Sequence, residues 1–325
     1  MQPGETHMRT TRRAALALLA APALAHAQAL PERPIRVVVP FPPGGPTDFA
    51  ARLVGNGMQA ALGQPVVVEN RPGGAGNIAA EHVVRSAPDG TTLLFSGSGL
   101  GINAALMDRL PFDARQDLAP VVLVSASPNL LTAGPRLAVT DIAGLVAEAK
   151  RRPGEVTIAI GSLGTTQHLS VELLKMLAGI EVTIVPYRGA ALAMNDLLAG
   201  TVDALSDGIT SSLPQVRQGR IKALGVTSPE RSAAAPEIPA IAETLPGFDA
   251  VAWFGLHAPA ATPQPALDAL NRAANAALAR EELRARFAES GARVLGGSVA
   301  EARAQLASDV GRWAEVVRRT GAKIQ

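Results

Sequence analysis

The 325 residues predict an α/β protein of two domains, each a parallel sheet with helices on both faces. Three observations carry that expectation. β-branched runs alternate with glycine-rich turns and with stretches of helical apolar spacing. The alternating series occurs twice, with strand-like runs at 121–131 and 251–256 as the connections between them. The length also suits two domains of about 100–200 residues better than one core.

The opening unit sets the pattern. Ile35-Arg36-Val37-Val38-Val39-Pro40 reads as a strand, Phe41-Pro42-Pro43-Gly44-Gly45-Pro46-Thr47-Asp48 as a rigid turn, and Phe49 to about Leu62 as a helix, with Thr47 or Asp48 suited to its N-cap. A second strand, 65–70, leads through the turn Asn70–Asn77 to a helix over 78–86. Thr91–Phe95 is a third strand, ending in the small-residue loop Ser96-Gly97-Ser98-Gly99-Leu100-Gly101. Val121–Val124 continues through Ser127-Pro128-Asn129 to Leu130-Leu131, the first passage between domains.

The second series opens with a helix over 141–152, capped by Asp141 and stopped by Pro153-Gly154. Thr157–Ile160 is a strand, Gly161–Thr166 a loop, His168–Ala178 a helix and Val182–Val185 a strand running into Pro186-Tyr187-Arg188-Gly189. A helix over 190–198, the segment Val202–Asp207 and the strand Ala223–Thr227 follow. The stretch 229–246 is rich in Pro and Ala, Val251–Leu256 crosses back, and two amphipathic helices close the chain. Leu306, Val310, Trp313 and Val317 form a stripe expected to pack on one domain. The expected units are a discontinuous domain over 31–126 plus 250–325 and a second over 127–249.

The first residues read differently. Arg9, Arg12 and Arg13 precede the apolar stretch Ala14–Ala25, and Ala25-His26-Ala27 fits a small-x-small cleavage site. Residues 1–27 are therefore expected to be a secretory signal peptide. Arg12-Arg13 also admits twin-arginine export, and Met8 is an alternative start. After cleavage near Ala27 the chain holds 27 basic and 27 acidic residues, so its charge is no argument for nucleic acid. Cysteine is absent, which excludes thiol catalysis and thiolate metal sites. No run in the body approaches the roughly 20 apolar residues of a membrane span.

Candidate chemistry centres on loops between a strand and a helix. Helix N-termini carry unpaired N–H groups and the positive end of the dipole, so Phe41–Asp48 reads as a cradle for a small carboxylate. Gly74-x-Gly76-x-x-Ala79 and Gly99-x-Gly101-x-x-Ala104 pass a relaxed dinucleotide pattern, but such matches are cheap among 31 glycines and no cofactor is expected. Ser98 and Ser162 lie in no Gly-x-Ser-x-Gly elbow, which makes a hydrolase a remote reading. The five His show no metal-ligand spacing. His168 has a plain role in the first turn of its helix. Tyr187, the single tyrosine, suits interdomain packing or ligand contact equally. Asp48 and Asp207 would repel an acid they faced directly, and capping is their alternative use.

The segment Pro-Ile-Arg-Val-Val-Val-Pro-Phe-Pro-Pro-Gly-Gly-x-Thr-Asp over 34–48 resembles the start of the tripartite tricarboxylate transporter receptors, the TctC/Bug solute-binding proteins. Val68-Glu69-Asn70-Arg71-Pro72-Gly73, Ala87-Pro88-Asp89-Gly90-Thr91, the Gly161–His168 loop and Val185-Pro186-Tyr187-Arg188-Gly189 continue the likeness. So do Val202-Asp203 with Asp207, Ala223–Thr227, Pro236-Glu237-Ile238-Pro239 and Trp253-Phe254-Gly255-Leu256. The resemblance covers residues 31–322 in order. It implies a periplasmic, two-domain type II binding protein (Venus flytrap) with two interdomain crossings, a monomer that closes on a small mono- or dicarboxylate and does no chemistry.

The resemblance also implies a set of site residues. One carboxylate would be gripped from both domains, by Phe41, Pro43, Gly44, Gly45, Thr47 and Asp48 on one side and Gly161, Ser162, Gly164, Thr165, Thr166 and His168 on the other. The far end of the ligand would be read by the Ser96–Gly101 loop, with Ser96 and Ser98, and by the neighbourhood of Asp207; Tyr187 is a further candidate contact with no end assigned. Thr47, Ser162, Thr165 and Thr166 are the expected direct contacts. Pro46 stands where the family has Gly and removes one amide from the cradle. Ser206-Asp207-Gly208 departs from the family's Phe-Asp-Asn. A two-subunit membrane permease is the implied partner; presentation to a sensor kinase is the alternative, and a periplasmic hydrolase the remote third.

Overall fold

The computed structural model describes residues 30–44, 46–107 and 109–322. The expected signal peptide and Gly45 lie outside the described residues. Among the described residues, eleven strands and ten α-helices follow one another. They are β1 (Ile35–Val39), α1 (Pro46–Leu62), β2 (Val66–Asn70), α2 (Asn77–Val84), β3 (Thr92–Gly97), α3 (Ser98–Leu106), β4 (Leu118–Ser127) and β5 (Asn129–Ala133). Then come α4 (Ile142–Arg151), β6 (Thr157–Ile160), α5 (Thr166–Ala178), β7 (Thr183–Pro186), α6 (Ala190–Ala199), β8 (Ala204–Gly208), α7 (Ile209–Arg217) and β9 (Lys222–Val226). The chain closes with β10 (Ala252–Pro259), α8 (Gln264–Leu278), α9 (Glu281–Glu289), β11 (Arg293–Gly296) and α10 (Val299–Thr320).

Two sheets organise these elements, with strand orders β11-β4-β10-β3-β1-β2 and β7-β6-β8-β5-β9. Strand alternation buries both faces of each. In β1, Ile35, Val37 and Val39 join the cluster formed with α1 and α8, whereas Val38 joins the one formed with α2. In β6, Ile158 and Ile160 pack with α5 while Ala159 packs with α6. Near-continuous apolar strands are what a sheet covered on both faces requires.

The sheets are mixed rather than wholly parallel, which corrects the sequence expectation. β1 runs parallel to β2 and β3, but β10 is antiparallel to both β3 and β4. In the second sheet β6 is parallel to β7 and β8, and β5 is antiparallel to β8 and β9. The cause is the route of the chain. β4 leaves the first sheet at its carboxyl edge, and after Pro128 alone β5 enters the second, with Asn129 paired to Gly208 at the carboxyl end of β8. β10 returns to the first sheet at the same kind of edge, with Ala252 opposite Ser127. A strand entering from the carboxyl edge must run against its neighbours.

Two further expectations change. The C-terminal region holds α8, α9 and α10 with β11 between the last two, not two helices. The apolar stripe of α10 also serves both sheets. Leu306 and Val310 pack with Trp253 and Leu94 of the first sheet, while Trp313, Val316 and Val317 pack with Ile160 of the second sheet and Leu169 of the helix α5 that covers it. A Ser298/Glu301 capping box opens this helix and Gly321 at φ 69° ends it, so its 22 residues form one strut across both units.

Candidate functional site

The first jaw follows β1. Phe41, Pro43 and Gly44 are exposed, and Gly44 takes a left-handed φ of 86° that turns the chain. α1 begins at Pro46, so Thr47 and Asp48 lie inside the first turn instead of capping it. Proline at a first helical position is preorganised, since its missing N–H is one the helix would leave unpaired. Asp48 is buried, and its carboxylate accepts from Gly44 N at 2.9 Å, Arg52 Nε at 3.0 Å and Asn70 Nδ2 at 2.9 Å. The hydrogen bond from Arg52, with those from Gly44 and Asn70, outweighs burial and holds its pKa at about 2. Asn70 also donates to Phe41 O at 2.9 Å. Asp48 thus shapes the jaw from inside. Thr47 is buried, and its hydroxyl has no partner among the described residues.

The second jaw follows β6. Gly161 lies beside the start of α6: its carbonyl accepts from Gly189 N at 2.8 Å, and a Cβ there would sit 3.2 Å from Ala190 N. Gly164 turns at φ 71°. Thr165 is the N-cap of α5, its hydroxyl accepting from His168 N at 3.4 Å and donating to Ser162 O at 2.9 Å. That hydroxyl is occupied within the loop, whereas the exposed Ser162 bonds only its neighbour, Leu163 O, at 3.1 Å. Thr166 is buried and accepts from Asn129 Nδ2 at 3.2 Å. His168 is buried too, and burial, aided by Lys175, lowers its pKa to about 4. It is a neutral core imidazole.

The distal group is rearranged relative to expectation. Ser96–Gly101 is not a loop, because β3 runs to Gly97 and α3 starts at Ser98. Ser98 is buried and its Oγ accepts from Trp253 N at 2.9 Å, which ties the strand end to β10. Asp207 is buried, and burial pushes its pKa up; it accepts from Gln167 Nε2 at 3.1 Å and from the Ser211 hydroxyl. Tyr187 donates to Asp196 Oδ2 at 2.7 Å, and burial together with that carboxylate raises its pKa to about 12. Its hydroxyl is therefore committed within its own unit.

Topology brings the two jaws to facing edges. β1 and β3 end at the edge where β4 hands over to β5, and β6 and β8 end at the edge where β5 begins. Asn129, Gln167, Ser211 and Thr227 belong to this region and were missed from sequence. Asn129 N donates to Thr227 Oγ1 at 2.8 Å, and Thr227 Oγ1 donates to Ala250 O at 3.0 Å. No local pattern marks Asn129, Gln167 and Thr227, since they act through partners 23 to 98 residues away, and Ser211 shows only through Asp207, four residues before it. Two hollows lie elsewhere. One of about 520 Å³ between α1 and α9 reaches Gly44 and Asp48; another of about 1080 Å³ lies between 228–234 and α9–β11. Neither holds residues of both jaws. Among the described residues no group of three or more His, Asp or Glu is placed to hold a metal ion, and no helix is long and apolar enough to cross a membrane.

Two mixed sheets joined by two short crossings, with strand–turn–helix units facing across the junction, define a solute-binding protein of the two-lobed kind. Residues 50–322 match the tripartite tricarboxylate transporter family receptor, and the chain belongs to that family. It is 40% identical over 302 residues to Protein BugT of Bordetella pertussis, covering 92% of this chain and 93% of that one. Rpa4515 of R. palustris, solved with adipate, superposes with a TM-score of 0.81 at 35% identity, over 90% of this chain and 99% of that one. MatC of Rhodopseudomonas palustris, solved with malate, gives 0.78 at 34% identity, over 89% and 100%. A further solved relative, 34% identical, is a periplasmic binding protein. The chain is thus a solute receptor and not an enzyme.

Proposed function

We propose that this receptor captures a small carboxylate between its two lobes, 31–126 plus 250–325 and 127–249, and hands it to a two-subunit membrane permease. The observation that carries the reading is the convergence of strand carboxyl ends from both sheets at the Pro128 crossing, each ending in a turn and a helix N-terminus. Backbone N–H groups and the dipoles of α1 and α5 favour an anion there. Relatives of the same fold and family holding adipate and malate support a carboxylate. The grip comes from main-chain amides of 41–48 and 161–166, with the hydroxyls of Thr47 and Ser162 added, Ser162 exchanging its weak bond to neighbouring Leu163 O for the ligand. Bound ligand favours the closed form because it touches both lobes. The protein acts as a monomer in the periplasm, exported by a signal sequence cut near Ala27.

A thermal-shift screen tests this. A ligand that binds only the folded protein raises its midpoint, with about 2.7 kcal/mol of added stability at a hundredfold excess over Kd. At least one mono-, di- or tricarboxylate, aromatic acid or acidic amino acid is expected to do so. Stabilisation by neutral compounds alone overturns the reading.

A further inference from the structure

Nearly every described glycine has a structural reason to be glycine. Most of those in turns hold a positive φ, and most of the others are crowded where a Cβ would go: at Gly255 it would lie 2.6 Å from Val122 O, and at Gly57 2.6 Å from Ala277 Cβ. Gly99, Gly208 and Gly311 fit neither account. Gly311 lies on the exposed face of α10. The other two are half-buried and stand at corresponding places in the two lobes. Gly99 is the second residue of α3, just past β3, and a Cβ there would meet nothing within 4 Å. Gly208 ends β8 and caps α7 at φ −56° and ψ 138°, where a Cβ would meet only Ser211 Oγ, at 3.8 Å. Alanine is the better helix former at the first position, and Ser or Asn serve at least as well at the second. Neither glycine is kept by the backbone or by packing.

Gly99 lies on a helix that packs against α5, and Gly208 adjoins a residue bonded to the first turn of α5. Ile102 and Leu106 of α3 pack in one cluster with Leu169 and Leu173 of α5, and Gln167 of α5 reaches Asp207, next to Gly208, at 3.1 Å. Recessed bare backbone beside a candidate site is what close approach of a ligand requires. We propose that Gly99 and Gly208 set the size of the distal end of the cleft, leaving room for an acid whose far end is an extended chain or a ring. This rests on the carboxylate reading above and goes further, assigning the size selection to two residues. The surroundings suit an uncharged far end or a protonated one: Asp207, Gln167 and Ser211 bring no cation, and burial keeps the Asp207 carboxyl toward its neutral form.

The test is titration calorimetry on the mature chain and on Gly99→Ala and Gly208→Ala, with succinate, adipate, suberate and benzoate. The native protein is expected to bind at least one of the three larger acids more tightly than succinate. Each variant should hold succinate within about threefold and lose the larger acids by about tenfold or more, while the ligand-free midpoint of Gly99→Ala does not fall. Equal weakening of all the acids, unchanged binding of the larger ones, or a native preference for succinate overturns the proposal. Should Gly208→Ala fail to fold, Gly99→Ala decides alone. A native protein that binds no acid at all, in this set or in the wider screen, sinks the carboxylate reading itself, an outcome distinct from the other three.

Discussion

The side-chain amide of Asn129 donates to the hydroxyl of Thr166 at 3.2 Å. The first residue past the interlobe crossing is thereby tied to the first residue of α5, the helix behind the second jaw. Asn129 also holds Thr227, which reaches Ala250 on the return crossing. Both passages between the lobes and one jaw thus share a single buried hydrogen-bonded chain.

That chain separates two threonines that look alike in sequence. Thr166→Ala should leave the Asn129 amide without its acceptor and cost about 1–3 kcal/mol in urea unfolding. Thr47→Ala removes a hydroxyl with no described partner together with a buried methyl, and should cost less, about 1 kcal/mol. Both should weaken ligand binding in calorimetry. Unchanged affinity in the double variant would remove the two-jaw grip.

Asp48 should govern the first jaw at low pH. Its folded pKa of about 2 lies below the ordinary 3.8, so its contribution is complete above pH 3.8 and is lost as pH falls through 2. Asp48→Asn is expected to cost about 1–3 kcal/mol at pH 7 and to flatten the stability profile across that interval. Urea midpoints at pH 2–7 check both.

Two buried imidazoles should make the protein acid-sensitive at milder pH. His168 and His257 are held at about 4 by burial, against 6.5 for an exposed histidine. The unfolded chain therefore takes up protons that the folded one refuses. Stability is complete above pH 6.5 and should decline toward pH 4, by about 2 kcal/mol per imidazole at pH 5. The His168→Asn/His257→Leu double variant should show a shallower slope between those values in pH-dependent unfolding.

Gly97 should tolerate no side chain, in contrast to its neighbour Gly99. A Cβ at 97 would lie 1.8 Å from Trp253 O and 2.9 Å from Phe254 Cα, all backbone of a central strand. Gly97→Ala is expected to destabilise by about 3 kcal/mol or more. A melting midpoint equal to the native one would show that β10 can shift away.

The return crossing has its own anchor. Buried Asp309 of α10 accepts from the Trp253 indole N–H and from Arg312 at 2.8 Å, and Arg312 also pairs with Asp249 at 2.9 Å. Asp309→Ala strands the buried Trp253 indole N–H, while Arg312 keeps Asp249, and about 1–3 kcal/mol of stability should go with it. Because the only two tryptophans, Trp253 and Trp313, sit here and next door on α10, the loss should be accompanied by a change in intrinsic fluorescence of the folded protein.

Much of this was legible beforehand because it is local. The β-branched run 35–39, the cap at Asp141 and the helix ending at Ala178 announce themselves within a few residues. The turns Phe41–Asp48 and Gly161–Thr166 were likewise visible as glycine between strand and helix. What was misread was long-range in cause. The start of α3 at Ser98 rests on a bond to Trp253, 155 residues away, and a run of Ser and Gly looks like a loop without it. The stripe of α10 shows its period but not that its two halves face different lobes.

The sequence by itself determined the class of protein: an α/β chain of alternating units, cysteine-free, with glycine turns fit for an anion and motifs of one receptor family. Periodicity and turn chemistry suffice for that, since both act over a single helix turn or strand pair. The tertiary structure decided which of those residues are free to act. It committed Asp48, Thr165, Ser98 and Tyr187 to internal bonds, left Thr47 with no described partner and Ser162 exposed with only its neighbour Leu163, and opened space at Gly99 and Gly208. Occupancy of a hydroxyl or a void depends on partners supplied by distant strands, and no spacing rule along one chain records them.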